Sequence, residues 1–254
     1  MDRTRAIREV FGAAAERYAA SSVHAAGPDL EAMLEAAALR GEERVLDLGC
    51  GAGHTALAFA ARGAHVEALD LTAPMLEQGR RMAAERGLRN VHFQEGDAAR
   101  LPFPSGTFDI VTSRLSAHHY AQPGTAVREA ARMLHPAGQL LLIDSVAPGD
   151  PAQDTFLNTI ELLRDPSHVR DHSITQWCAM FEAAALLPEL LGTWKIRIEF
   201  DDWVARVETP SLEVAQLRAL LKGAQDENRA AFGIADDLSF DIPVALIRGR
   251  TQIS

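Results

Sequence analysis

A chain of 254 residues, 47% hydrophobic and 24% charged, has the size and apolar content of one large α/β domain or a core with an added cap, which excludes a disordered chain. A net charge of −10 leaves no basic footprint for phosphate, so nucleic acid is not an expected partner. No signal-peptide core follows Met1, no apolar run reaches the roughly 18 residues of a membrane span, and the two cysteines include Cys50 inside a glycine loop, so a soluble protein of the reducing cytoplasm is expected.

Residues 5–20 carry Ile7, Val10, Phe11, Ala14 and Tyr18 at helical spacing. After a break at Ser21–Gly27, Pro28 opens a second predicted helix with Leu30, Met33, Leu34 and Ala37 as its apolar stripe. From Arg44 short apolar runs alternate with helical ones. Strands are predicted at 45–48, 65–69, 91–93, 108–112 and 139–144, and helices at 56–61, 74–86 and 125–134. This alternation predicts a doubly wound parallel α/β sheet with helices on both faces; Leu140-Leu141-Leu142-Ile143 is apolar on both sides, as a buried parallel strand requires. Beyond Val146 the pattern predicts helices at 151–164 and 174–187, a sixth strand at 194–200, a helix at 211–231 and a last strand at 239–249, where Pro243 suggests an edge or a bulge. The expected organisation is an N-terminal helical segment, 1–40, and a core, 41–254, with helical insertions at about 147–190 and 201–231.

The first core strand runs into Asp47-Leu48-Gly49-Cys50-Gly51-Ala52-Gly53 and then a helix. Glycine permits positive φ and removes the Cβ that would block a ligand, and the helix N-terminus behind it offers unpaired N–H groups. On the glycines alone two ligands compete. Gly51-Ala52-Gly53-His54-Thr55-Ala56 fits G-x-G-x-x-A with Asp70 ending the next strand, as in a dinucleotide site. Asp47 favours the other ligand, because a carboxylate there crowds a pyrophosphate but pairs with a cationic amino-acid moiety, directly or through water.

Val45-Leu46-Asp47-Leu48-Gly49-Cys50-Gly51-Ala52-Gly53 resembles motif I of the class I S-adenosylmethionine methyltransferases. Leu101-Pro102-Phe103-Pro104 with Phe108-Asp109-Ile110-Val111 is similar to the fourth-strand region of the ubiquinone/menaquinone-biosynthesis-type subgroup. Arg132-Met133-Leu134-His135-Pro136-Ala137-Gly138 resembles that subgroup's turn into the fifth strand, with Ala137 where glycine is usual. The likeness spans residues 40–146. It implies a Rossmann-like seven-stranded sheet with an antiparallel last strand, plus N-terminal lid helices and a small helical cap. The implied reaction moves a methyl group from S-adenosylmethionine to a small-molecule acceptor by in-line displacement, leaving S-adenosylhomocysteine.

The same resemblance implies the cofactor residues. Gly49, Gly51 and Gly53 form the loop, and Asp70 accepts from both ribose hydroxyls, as an acceptor-only carboxylate can. Leu71 and Met75 sit beside the adenine, while Asp97 accepts from its amino group and the Ala98 N–H meets a ring nitrogen. Arg114 and Leu115 line the methionine end. Phe11, Tyr18 and Ser21–His24 resemble the lid helix, with Tyr18 near the cofactor carboxylate or the substrate.

Methyl transfer from a sulfonium needs alignment and electrostatics more than covalent help. A base for the acceptor's proton is expected past the fourth and fifth strands, where His118, His119 and Asp144 stand. The stretch from Arg164 to His172 adds His168 and Arg170 as groups able to close over the acceptor. His168 and His172 have i, i+4 spacing, but no third ligand is evident and no metal is expected. Two rival readings remain. An NAD(P) oxidoreductase calls for a Tyr-x-x-x-Lys dyad, but Tyr120 is followed four residues later by Gly124. A protein that binds S-adenosylmethionine without methylating would carry the same motif I.

Overall fold

The computed structural model describes residues 3–19 and 25–251, so Ser21–His24 lie outside the described residues. Among the described residues, helices α1 (Arg3–Ala19) and α2 (Pro28–Ala37) precede the sheet. The chain then runs β1 (Arg44–Leu48), α3 (His54–Ala60), β2 (His65–Asp70), α4 (Ala73–Glu85), β3 (Val91–Glu95) and β4 (Phe108–Arg114). A 3-10 turn (Ala117–His119), α5 (Pro123–Met133) and β5 (Leu134–Ser145) follow. The last part comprises α6 (Pro151–Arg164), α7 (Ile174–Ala183), β6 (Leu186–Ile198), α8 (Phe200–Arg206), α9 (Ser211–Lys222), α10 (Asp226–Phe232) and β7 (Phe240–Thr251).

The seven strands pair in the order β3-β2-β1-β4-β5-β7-β6. Strands β1 to β5 are mutually parallel, and β7 runs antiparallel to both β5 and β6. Side-chain alternation divides the core. Leu46, Leu48, Leu140 and Leu142 pack with α5 and α7 on one face; Val45, Leu141 and Ile143 pack with α2, α3 and α4 on the other. A third apolar cluster lies under α6, α8, α9 and α10 around Trp203, Leu217, Phe232 and Phe240.

Four local expectations change. The sixth strand begins at Leu186, eight residues before the predicted start, and the preceding helix stops at Ala183. As the sheet's outer strand, β6 is mostly exposed along its first half, so it lacks the inward alternation that marks a strand. Phe200, expected in that strand, instead opens α8, where Phe200 and Trp203 are buried in the cap. The helix expected over 211–231 is interrupted at Gly223. Pro243 is on an inner strand, one residue past the last β5–β7 pair, Ser145–Val244, where no ladder donor is needed on the β5 side.

Candidate active site

Between β1 and β4 the chain order reverses, because β1 leads outward through β2 to β3 while β4 leads the other way through β5. Crevices form at such points beyond the carboxyl ends of the strands. Leu48 and Ser113 are paired there, so the loop after β1 and the turn after β4 stand side by side. They flank a cavity of about 330 Å3. Helix α1 lies across it, contributing Ile7, Phe11 and Tyr18 to the wall. Arg8 ties one end of α1 to the Leu71 carbonyl at 3.1 Å and to Glu95 at 2.5 Å. Arg17 ties the other to the Arg206 carbonyl and to Glu208, each at 2.9 Å.

The three motif glycines serve different purposes. An added Cβ at Gly49 would lie 2.5 Å from Ser116 Oγ, and at Gly53 2.6 Å from the Phe93 ring. At Gly51, with φ +51°, a Cβ would meet no protein atom and would stand in the cavity. Gly53 is not on the cavity wall; it makes the left-handed turn into α3.

Asp70, at the end of β2, braces this loop. Its Oδ2 accepts from the Gly51 N–H and its Oδ1 from the Thr72 N–H, both at 2.8 Å. It also lines the cavity. Burial pushes its carboxyl above the usual range, opposed by the two N–H donors. Leu71, Met75, Asp97 and Ala98 continue the same wall. Met75 is 2% exposed and also packs with Ala15 and Ala52 beneath α1. The Asp97 carboxylate accepts from the Ala99 N–H at 2.8 Å.

At the other end of the cavity, Leu115 has φ +52°, and its N–H is held by the Ile143 carbonyl at 2.8 Å. Arg114 lines the wall while its Nε donates to Asp29 at 2.7 Å, an ion pair that is buried on both sides. Tyr18 is on the wall with its ring edge-on to Phe11 at 5.3 Å, and its carbonyl meets His54 Nε2 at 3.1 Å. Asp47 lies below the wall and is 1% exposed. One of its oxygens accepts from the Thr112 hydroxyl at 2.8 Å, and Oδ2 is buried without a partner. Burial raises its carboxyl to about 7, against the Thr112 hydrogen bond.

The predicted acid–base residues do gather, but in two layers. His119 is on the cavity wall; His118, His168 and Asp144 are not. Asp144 grips His118 twice, accepting from its backbone N–H at 3.0 Å and from Nδ1 at 2.6 Å. Burial works against the charged His118 ring, but the Asp144 carboxylate overcomes it and raises the ring to about 9. His119 moves the other way: burial, then the neighbouring His118 charge, lowers it to about 3. His168 is 3% exposed, lowered to about 2 by burial, and its Nε2 meets Asn158 Oδ1 at 3.3 Å. Arg170 points to Asp154 at 2.5 Å, away from the cavity wall.

Several residues that shape the site were not foreseen. Ser116 and Tyr120 line the cavity and share hydrogen bonds with Ser113 at 3.1 Å and with each other at 3.2 Å, under Gly49. Their only signal in the sequence was a run of hydroxyls, Ser113, Ser116 and Tyr120, just after a strand end. Arg8 had none, since its partners are 63 and 87 residues away.

A sequence profile described as a methyltransferase domain matches residues 46–142. The chain is 43% identical over 244 residues to the uncharacterized methyltransferase YcgJ of Bacillus subtilis, covering 94% of this chain and 96% of that protein. The chain belongs to the S-adenosylmethionine-dependent methyltransferases. The YcgJ crystal structure superposes on this methyltransferase with a TM-score of 0.85, covering 89% of this chain and 99% of that one. A putative methyltransferase from Bacillus halodurans superposes at 0.84 with 37% identity, over 88% of this chain and 99% of that one. A ubiquinone/menaquinone biosynthesis C-methyltransferase from Ruegeria is 37% identical over 130 residues, half of either chain. The methyltransferase uses S-adenosylmethionine as its methyl donor. Among the described residues no helix is long and apolar enough to cross a membrane.

Proposed function

We propose that the cavity between β1 and β4 holds S-adenosylmethionine with its adenine toward Asp97 and its methionine end toward Leu115. The observation that carries this reading is Asp70 in the wall beside the open face of Gly51. Each Asp70 oxygen already takes one N–H and keeps a lone pair, so the carboxylate can accept from both hydroxyls of a ribose. Asp97 and the Ala98 N–H offer an acceptor and a donor to adenine, with Leu71 and Met75 as its apolar flank. Gly49, Gly51, Arg114, Leu115 and Tyr18 surround the amino-acid end. The unpartnered Oδ2 of Asp47 lies beneath it and suits an ammonium group reached through water. Gly53 acts indirectly, by shaping the loop.

When bound, this donor supplies an electrophilic methyl carbon on a sulfonium. The protein's own task is to align the acceptor with that carbon and to exclude water. Helix α1, within the segment 1–40, serves as the lid, and the parts of 147–190 and 201–231 that pack around Trp203 serve as the cap. His119 faces the acceptor. His118 and Asp144 stand behind it as an ion pair, and His168 packs against both imidazoles, with ring centroids at 5.7 Å from His118 and 6.4 Å from His119. A net charge of −10 favours a small acceptor over a polyanion, and the two free cysteines fit the cytoplasm.

Titration calorimetry with S-adenosylhomocysteine tests the reading. Binding is expected, and heat with NAD but none with S-adenosylhomocysteine would overturn it. A metabolite-extract screen for donor-dependent gain of one methyl group then finds the acceptor.

A further inference from the structure

Building on His119 as the acceptor-facing residue, we propose that Asp165 and Ser167 fix this ring with an unprotonated Nε2 toward the cavity, so that this nitrogen takes the proton that the methyl acceptor gives up.

Asp165, just past the end of α6, is 1% exposed, and its Oδ1 accepts from the Ser167 N–H at 2.8 Å and from the Ser167 hydroxyl at 2.6 Å. A serine hydroxyl has a single hydrogen, and an ionised carboxylate can only accept. Oδ1 is thus the oxygen that takes both Ser167 donors, and these donors with the Arg164 guanidinium favour the carboxylate against the cost of burial. The Ser167 hydrogen is therefore committed to Asp165. Ser167 Oγ also lies 3.2 Å from His119 Nδ1 and must accept there. Nδ1 carries the proton, and the remaining ring nitrogen, Nε2, keeps its lone pair.

The surroundings keep this ring neutral and aimed. Its ring is edge-on to Phe11 of α1 at 4.9 Å, so it cannot turn freely. The charged and titratable groups around it are His118, with ring centroids 4.1 Å apart, His168, Asp165 and Asp144. The His118 cation beside it discourages a second positive charge on His119.

With a hydroxyl acceptor, the O–H bond breaks and its proton passes to Nε2. An oxygen electron pair forms the bond to the methyl carbon while the carbon–sulfur pair stays on sulfur. The His119 imidazolium, facing Asp165 through Ser167, then returns its proton to water. Asp165 and Ser167 act as positioning residues, since neither lines the cavity.

Long-range nitrogen–proton NMR of the full-length, 15N-labelled protein with S-adenosylhomocysteine decides the matter. At neutral pH the His119 ring should appear as the Nδ1–H tautomer and stay neutral into mildly acidic solution. Ser167→Ala should shift it toward Nε2–H or a mixture with S-adenosylhomocysteine affinity unchanged, and Ser167→Thr should restore it. A wild-type ring found as Nε2–H or as the cation overturns the proposal, whether or not the variants fold. With the acceptor found by the extract screen, Ser167→Ala should lower kcat by about tenfold or more with KM for the donor unchanged, and an unchanged kcat also overturns the proposal. Calorimetry with S-adenosylhomocysteine separates these failures from failure of the cofactor reading, which alone would abolish that heat.

Discussion

Removal of the Asp70 carboxylate isolates the group on which the cofactor reading depends. Asp70 is the one strand-end acid here that both braces the glycine loop and reaches the cavity, through its N–H contacts at 2.8 Å to Gly51 and Thr72. In Asp70→Ala, a bound ribose loses a charged acceptor. Hydrogen bonds to charged groups contribute about 1.5–3 kcal/mol. At about 1.4 kcal/mol per factor of ten, S-adenosylhomocysteine should bind roughly 10- to 150-fold more weakly by titration calorimetry. Some of that loss would come from loosening of the loop, so the assay needs a second axis. An analogue lacking both ribose hydroxyls should bind wild type about as poorly as S-adenosylhomocysteine binds the variant, and the variant should not distinguish the two ligands. The cycle should show a coupling of about 1.5 kcal/mol or more. A variant that still prefers the natural ribose as strongly as wild type does would refute the contact and leave Asp70 as a brace for the turn.

Gly51→Val places a branched side chain in the cavity at φ +51°; S-adenosylhomocysteine binding should disappear, while thermal melting reports a destabilisation of only about 1–3 kcal/mol. The His118–Asp144 pair predicts a pH dependence with a definite sign. The folded-state value of His118, about 9, lies above the ordinary 6.5, so its stabilisation is complete below about 6.5 and is lost as pH rises through about 9. Urea titrations should show wild type losing up to about 3 kcal/mol across that window, and a flatter profile in Asp144→Asn; identical profiles would mean that the pair is not ionised. Arg8→Ala removes a half-exposed ion pair with Glu95 and should cost less than about 1 kcal/mol in the same titration, a larger loss meaning that α1 docks cooperatively with the core.

The acceptor side was the least legible part of the sequence. His118, His119, His168 and Asp144 were recognisable as capable groups past strand ends, but their division into a wall residue and a layer behind it depends on contacts across the fold. Val169 and Arg170 donate their backbone N–H groups to the His118 carbonyl, which draws the 165–171 segment against the turn after β4. That docking brings Ser167 to His119 over a separation of 48 residues, a distance no local pattern encodes. The first half of β6 was missed for a simpler reason: an outer strand facing solvent has little need of alternation.

Local chemistry in the sequence determined the strand–loop–helix unit around Gly49–Gly53, the carboxylates at successive strand ends and the doubly wound order, because each rests on backbone conformation or on a short apolar period. Only the tertiary structure decided that Asp47 lies beneath the cavity and Asp70 in its wall, that α1 covers it and that His119 faces it while His118 is held back by Asp144. Those outcomes depend on burial and on partners far apart in the chain, which exist only once β1 and β4 are paired and the segment after β5 has folded back over their ends.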